Sequence, residues 1–259
     1  RVQVMDPPGW WLRAHHLDAV TTRSVLQQFD DVMGRAVVCS AASWAMARVY
    51  AERYGIDTVA LVPPMDLSLA LPPADRPAGD GISIGFAGQI YASEEFSALR
   101  LALEALSAEG SAGDVTCHAY TTALAPGADP LITVHRWLPQ RDLVRELAQA
   151  DLLYCPYWFS PEMREEANLS FPSKLTSYIA AGRPVLFHGR ADSSPARFLR
   201  QNGAAFFCFR PGVAAIKETI TRALGDAATY ARTAQAARTL LQTHLSADAL
   251  RNSFARFCR

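Results

Sequence analysis

The sequence predicts an α/β fold built on a doubly wound parallel sheet, and three observations predict it. Short apolar runs recur from residue 81 to about residue 210, and amphipathic stretches separate most of them. Several runs close on a turn residue, as at Gly88, Pro156 and Gly189. Those closures fall at the carboxyl ends of the expected strands, where such sheets bind ligands.

Taken in order, RVQVMD (1–6), RAVVCS (35–40) and TVALVPP (58–64) read as strands, and SWAMARVYAERYG (43–55) as a helix closed by Gly55. This is too little for a complete α/β domain, so 1–66 is expected to form a partial N-terminal one. The stretch DLSLALPPADRPAGDG (66–81) is rich in Pro, Gly and Asp and reads as an interdomain linker over 67–80. From there GISIGFAG (81–88), DVTCHAY (114–120), LITVHRW (131–137), DLLYCPY (151–157), the Val185–Phe187 run and AAFFCF (204–209) are the six strands of a second domain, 81–245. Helices are expected at EFSALRLALEAL (95–106), QRDLVRELAQA (140–150) and SPARFLRQNG (194–203). Alanine-rich helices fill 212–259, and Ser246 caps the last, expected over 246–259 to return toward the N-terminal segment.

The totals exclude some classes. At 259 residues with 25 basic and 25 acidic side chains, no net field draws nucleic acid, so any anion is held by a local site. No apolar run reaches the roughly 18 residues of a membrane span, which leaves room only for peripheral membrane contact. Cys39, Cys117, Cys155, Cys208 and Cys258 are odd in number and widely spaced, as in a reduced cytoplasmic protein. No metal site is expected: no cysteine pair has zinc-ligand spacing, and adjacent His15 and His16 cannot share a helix face. The chain opens on Arg1, which reads as a segment missing upstream.

The stretch FPSKLTSYIAAGRPVLFHG (171–189) carries the functional signal. Leu175, Tyr178, Ile179 and Ala181 give a helix an apolar face, with Pro172 near its start and Gly182 just past its end. Its first turn sets unpaired N–H groups beside Ser173 and Lys174, an arrangement that suits phosphate. The competing reading is an ordinary helix with a surface lysine.

The succession ISIGFAG, TVHRWLPQRDLVRELAQADLLYCPY and FPSKLTSYIAAGRPVL resembles the donor-binding domain of the B-type retaining glycosyltransferases, a large family that includes many bacterial sugar transferases. VVCSAASWAMARVYAERYG followed by VALVPPMD is similar, more weakly, to the end of the family's N-terminal domain. The resemblance implies two facing Rossmann-like domains and a nucleotide-diphosphate-sugar as donor substrate, with no cofactor or bound metal. It places the diphosphate against Gly88, Gln89, Ser173 and Lys174, the ribose near Ser177, and the base over Arg136, Trp137 and Leu138. It assigns no general base within this chain.

The departures are specific. The family's two glutamates, with seven residues between them, fall on Leu169 and Ser177 here, and its first-loop arginine and lysine are replaced by Gln89 and by Glu94 and Glu95. Compensation is expected from Lys174, His188, Arg190 or a domain outside this chain. Glu162, Glu165 and Glu166, in a loop before the helix, are candidates for the lost carboxylate, although a solvated acidic loop is the preferred reading.

Three functions compete. The first is transfer of a sugar from a nucleotide-sugar to an unknown acceptor; the second is a non-catalytic nucleotide-sugar-binding or scaffold protein, which Gln89 and Leu169 favour. The third is a 2-epimerase of the same architecture. Trp10 and Trp11, after Pro7-Pro8-Gly9, offer aromatic faces to a sugar, but a loop packed on the core is preferred. His118 and His135 read as strand residues with satisfied partners.

Overall fold

The computed structural model describes residues 1–259 except Ala78, Asp80, Ser111 and Ala112. Among the described residues two parallel sheets form, one of three strands and one of six. The smaller sheet holds β1 (Val2–Val4), β2 (Val38–Ala41) and β3 (Asp57–Ala60) in that order. Between β1 and β2 lie α1 (Pro8–Ala14) and α2 (Ala19–Gly34), and α3 (Trp44–Tyr54) joins β2 to β3.

Local chemistry sets these boundaries. Ser43 Oγ accepts from Met46 N at 2.9 Å to start α3, and Gly55, at φ 65°, ends it in the left-handed region. Asp18 starts α2 by accepting from Val20 N and Thr21 N. Neither α1 nor α2 is anticipated by the sequence reading, and Trp10 and Trp11 are helical rather than in a loop. Proline just inside α1 suits a helix start, since its missing N–H would be unpaired there anyway. In α2 Leu26, Phe29 and Met33 recur at helical spacing, a stripe in the sequence that the reading passed over.

Asp66 caps a single 3₁₀ turn at Leu67–Leu69, and the chain then runs along the second unit. Leu71 N donates to Ala180 O at 2.8 Å, and Arg76 Nε reaches Asp151 at 3.0 Å. The linker is thus strapped down. Gly182 makes this possible: its φ is +72°, and a Cβ there would collide with Pro72 O.

The larger sheet comprises β4 (Ile82–Ala87), β5 (Val115–Tyr120), β6 (Ile132–His135), β7 (Leu152–Pro156), β8 (Val185–His188) and β9 (Ala205–Cys208). Its spatial order is β6-β5-β4-β7-β8-β9, which is the doubly wound order with the switch point between β4 and β7. The connecting helices are α4 (Ser93–Ala108), α5 (Gln140–Leu147), α6 (Arg164–Leu169), α7 (Lys174–Ala180) and α8 (Ser194–Gln201), followed by α9 (Val213–Gly225), α10 (Ala227–His244) and α11 (Ala247–Phe257).

Both faces of this sheet are covered, so its strands are apolar throughout and still alternate. Ile84, Phe86, Leu152, Tyr154 and Leu186 enter one core with Phe96, Leu99 and Ile216; Leu153, Cys155, Val185 and Phe187 enter the other with Leu175, Ile179 and Leu240. The final helix returns to the smaller sheet. Met65 N donates to Leu245 O at 2.7 Å, Ser246 caps α11, and Arg1 donates to Phe257 O and Cys258 O at 2.9 and 2.8 Å.

Candidate functional site

At the switch point, Ala87 ends β4 and Gly88 turns the chain at φ +90°. A side chain at 88 would be strained by that angle and would point at Lys174, whose Cε lies 3.7 Å from an added Cβ. Lys174 Nζ donates to Gln89 O at 3.0 Å and lies 4.2 Å from the Phe86 ring centroid. No carboxylate pairs with it among the described residues. Burial pulls its ammonium from 10.5 down to about 8, with Cys155 acting in the other direction.

A cavity of about 430 Å³ opens here, lined by Pro63 and Pro64 on one side and by Gly88, Gln89, Ser173, Lys174 and Ser177 on the other. Five residues expected from the sequence therefore converge. The Ser173 hydroxyl makes no capping bond, although the residue occupies the cap position of α7. That helix is only seven residues long, so its dipole is a weak anion holder and the ammonium is the main local charge.

Arg136, Trp137 and Leu138 stand apart, on the connector after β6. Arg136 is exposed, Trp137 is 76 % exposed, and Leu138 packs on the core. The cavity instead meets Gln140 and Leu143, one turn further on, together with Tyr91 and Thr176. Sequence reading missed these four. The strand read from LITVHRW ends at His135, earlier than expected, so Arg136 and Trp137 belong to the connector.

The expected compensating groups are committed elsewhere. His188 is buried, its ring nitrogens meeting Tyr154 OH at 2.7 Å and Arg210 O at 3.2 Å, and burial lowers its pKa to about 4. Arg190 makes two bonds to Asp192, at 2.9 and 2.8 Å. Glu95, where a cation is expected, accepts from Phe159 N at 2.8 Å and lies in the first turn of α4, where a carboxylate is favoured. Leu169 packs on the smaller sheet's core, and its carbonyl accepts from Ser43 Oγ. His118 and His135 bond each other at 3.0 Å.

A second cavity, of about 240 Å³, shares Tyr91, Ser173 and Lys174 with the first and reaches Asp6 and Trp10 of the smaller unit. Here the acidic loop proves to be a 3₁₀ turn and α6, and its three glutamates part company. Glu162 is exposed and bonded to Ser160; Glu165 pairs with Arg13 at 3.0 Å; Glu166 is 4 % exposed and lines the cavity. Its Oε1 accepts from Ser170 Oγ, and its Oε2 has no partner among the described residues. Burial pushes this carboxyl from 4.5 up to about 7; the Ser170 bond opposes that shift, and Asp6 and Glu165 add to it. Trp10 faces the cavity, whereas Trp11 stacks on His15 at 3.9 Å.

No family model matches the chain, and no curated protein matches it. Solved structures do. The sucrose-phosphate synthase of Thermosynechococcus elongatus superposes with a TM-score of 0.70 at 14 % identity, over 100 % of this chain and 67 % of that one. Anabaena HepE in complex with UDP-glucose gives 0.69 at 13 % identity, over 99 % of this chain and 71 % of that one. An α,α-trehalose-phosphate synthase (UDP-forming) from Burkholderia vietnamiensis gives 0.67 at 12 %, over 98 % and 73 %. The chain has the α/β fold of the B-type glycosyltransferases.

Proposed function

We propose that the chain is a glycosyltransferase that moves a sugar from a nucleoside-diphosphate donor to an acceptor. The reading assigns the donor to residues 81–245 and the acceptor side to 1–66. One observation carries it: an ammonium without an acidic partner stands against a glycine turn at the switch point of a doubly wound sheet. The likeness in fold to HepE, whose structures hold UDP and UDP-glucose, supports it.

In this reading the diphosphate lies along Gly88 and Gln89, and the missing side chain at Gly88 lets a phosphate approach the backbone. Lys174 exchanges its bond to the Gln89 carbonyl for one to a phosphate oxygen. As the bond from anomeric carbon to oxygen breaks, negative charge gathers on the departing diphosphate, and Lys174 with the Ser173 hydroxyl stabilises it where it forms. Ser177 takes a ribose hydroxyl. The base lies toward the connector of Arg136, Trp137 and Leu138 and meets Gln140 and Leu143 first. Four buried thiols and an exposed Cys258, all free, support a reducing, cytoplasmic setting.

Isothermal titration with UDP, GDP and their sugars tests this. Lys174→Ala should weaken the diphosphate that binds by about 10- to 100-fold, as loss of a charged hydrogen bond requires, and leave the bare nucleoside unaffected. Equal affinity in the folded variant would remove Lys174 from the site. Tight binding without transfer to any acceptor would favour the non-catalytic reading, for which Leu169 speaks by turning the family's carboxylate position into a packing contact.

A further inference from the structure

Strand β4 loses one of its two neighbours as it reaches the switch point. Among the described residues β5 stays paired with it through Ala87, whereas β7 pairs only at Ile84 with Leu152 and at Gly85 with Leu153. Peptide groups alternate in direction along a parallel strand. Ser83 O accepts from Asp151 N on the β7 side and Gly88 N donates to Tyr120 O on the β5 side, so Ala87 turns its N–H and C=O toward the place that β7 has left. Ala87 is buried, and an unpaired amide there would be costly.

The Tyr178 phenol fills that place. Its oxygen accepts from Ala87 N at 2.8 Å, and its hydroxyl lies 3.4 Å from Ala87 O. Burial pushes the phenol well above its ordinary value, so it keeps its proton. A phenylalanine ring would pack in the same core; only the hydroxyl meets the strand end.

Lys174 and Tyr178 stand four residues apart on α7 and so share a face of it. Tyr178 holds Ala87, Lys174 Nζ reaches Gln89 O at 3.0 Å, and Gly88 lies between. Two bonds thus tie the helix to the turn, one on each side of the glycine. Of the two, only the lysine's is open to exchange: Lys174 lines the cavity, and Tyr178 is 0 % exposed.

We propose that Tyr178 is a positioning residue of the diphosphate site: by standing in for a strand neighbour of Ala87, its hydroxyl holds the Gly88 turn at the distance from which the Lys174 ammonium passes from the Gln89 carbonyl to a phosphate oxygen. Tyr178 touches no ligand itself and acts through Lys174. This deepens the glycosyltransferase reading and rests on it for the identity of the anion.

Titration calorimetry on the full chain tests it, with UDP, GDP and their nucleosides and with wild type, Y178F, K174A and the double variant. Y178F should weaken the diphosphate that binds by about 3- to 10-fold, one hydrogen bond's worth, and leave its nucleoside unchanged. The double variant should bind no more weakly than K174A alone, because the two residues act as one unit. Diphosphate affinity unchanged in Y178F, an equal loss on the nucleoside, or losses that add in the double variant would each overturn the proposal. A second readout needs no nucleotide: the 13C-labelled Lys174 side chain, followed by NMR against pH, should titrate nearer 10.5 in Y178F than the value of about 8 in wild type, since a loosened turn admits water to the ammonium. If neither nucleotide binds wild type, the donor reading falls and this titration judges Tyr178 alone, an unchanged midpoint overturning it. Should Y178F not fold, 3-fluorotyrosine at 178 takes its place, because the fluorine weakens the oxygen as an acceptor for Ala87 N; the same changes, smaller, are expected, and their absence overturns the proposal.

Discussion

Lys174 carries charge in a place that disfavours it, and the pH behaviour of the protein should show this. Its ammonium titrates near 8 when folded and near 10.5 when unfolded, so between those values the unfolded chain binds more protons and stability rises with pH. Diphosphate affinity should fall over the same range as the free amine loses its proton, and Lys174→Ala should flatten that dependence. Glu166 gives the opposite sign. Its folded pKa near 7 lies above the ordinary 4.5, so the native state holds the extra proton and stability falls as pH rises from 4.5 to 7. Glu166→Gln should therefore match wild type near pH 4 and exceed it above pH 7 by about 3 kcal/mol at most, read from urea midpoints. A constant difference across pH would refute the buried charge. At this scale the sequence singled out Lys174 and Ser173 as candidates by their place beside Pro172, and both line the cavity at the switch point, but Glu166 looked like its neighbours. Burial separates Glu162, Glu165 and Glu166, and burial depends on what α6 packs against.

Among the elements, α7 and the strap before β4 depend on each other. The helix ends at a glycine with positive φ, and the strap's Pro72 carbonyl fills the space a side chain would need. Gly182→Ala should destabilise by about 2–4 kcal/mol, from backbone strain and forced displacement together. Gly203→Ala, at φ +62° with open space, should cost only the strain. Equal losses would show that the strap yields freely. The end of α7 was legible because glycine closing a helix is a local signal, whereas the strap read as a free linker. Its hydrogen bonds to Ala180 and Gly182 join residues more than a hundred positions apart. Helix α1 stayed hidden for a different reason, since at seven residues it is too short to show a period, whereas α2 carries Leu26, Phe29 and Met33 at helical spacing and was legible.

For the whole molecule, contacts between the two sheets' units are numerous and varied. Ser43 bonds Leu169 O, Arg13 pairs with Glu165, Met65 bonds Leu245, and Arg1 holds the end of α11. Calorimetric unfolding should therefore be a single transition, with van't Hoff and calorimetric enthalpies in agreement. Two resolved transitions would mean that the units are coupled only loosely. Ser43→Ala, which removes a cap and an inter-unit bond at once, should lower stability by about 1–2 kcal/mol.

The period of the apolar runs and the turn residues that close them determined the six-stranded parallel sheet, and the FPSK segment put Lys174 at the carboxyl edge of its strands. These are local properties, because strand alternation, helix closure and phosphate-suited turns are set by residues a few positions apart. Only the tertiary structure decided that Arg190 and His188 are spent on Asp192 and Tyr154, that Leu169 is a packing contact, and that Glu166 keeps an unpaired oxygen beside Trp10. Apart from the local Arg190–Asp192 pair, each of those outcomes turns on which residue distant in sequence packs beside the group, and on how much water that packing expels.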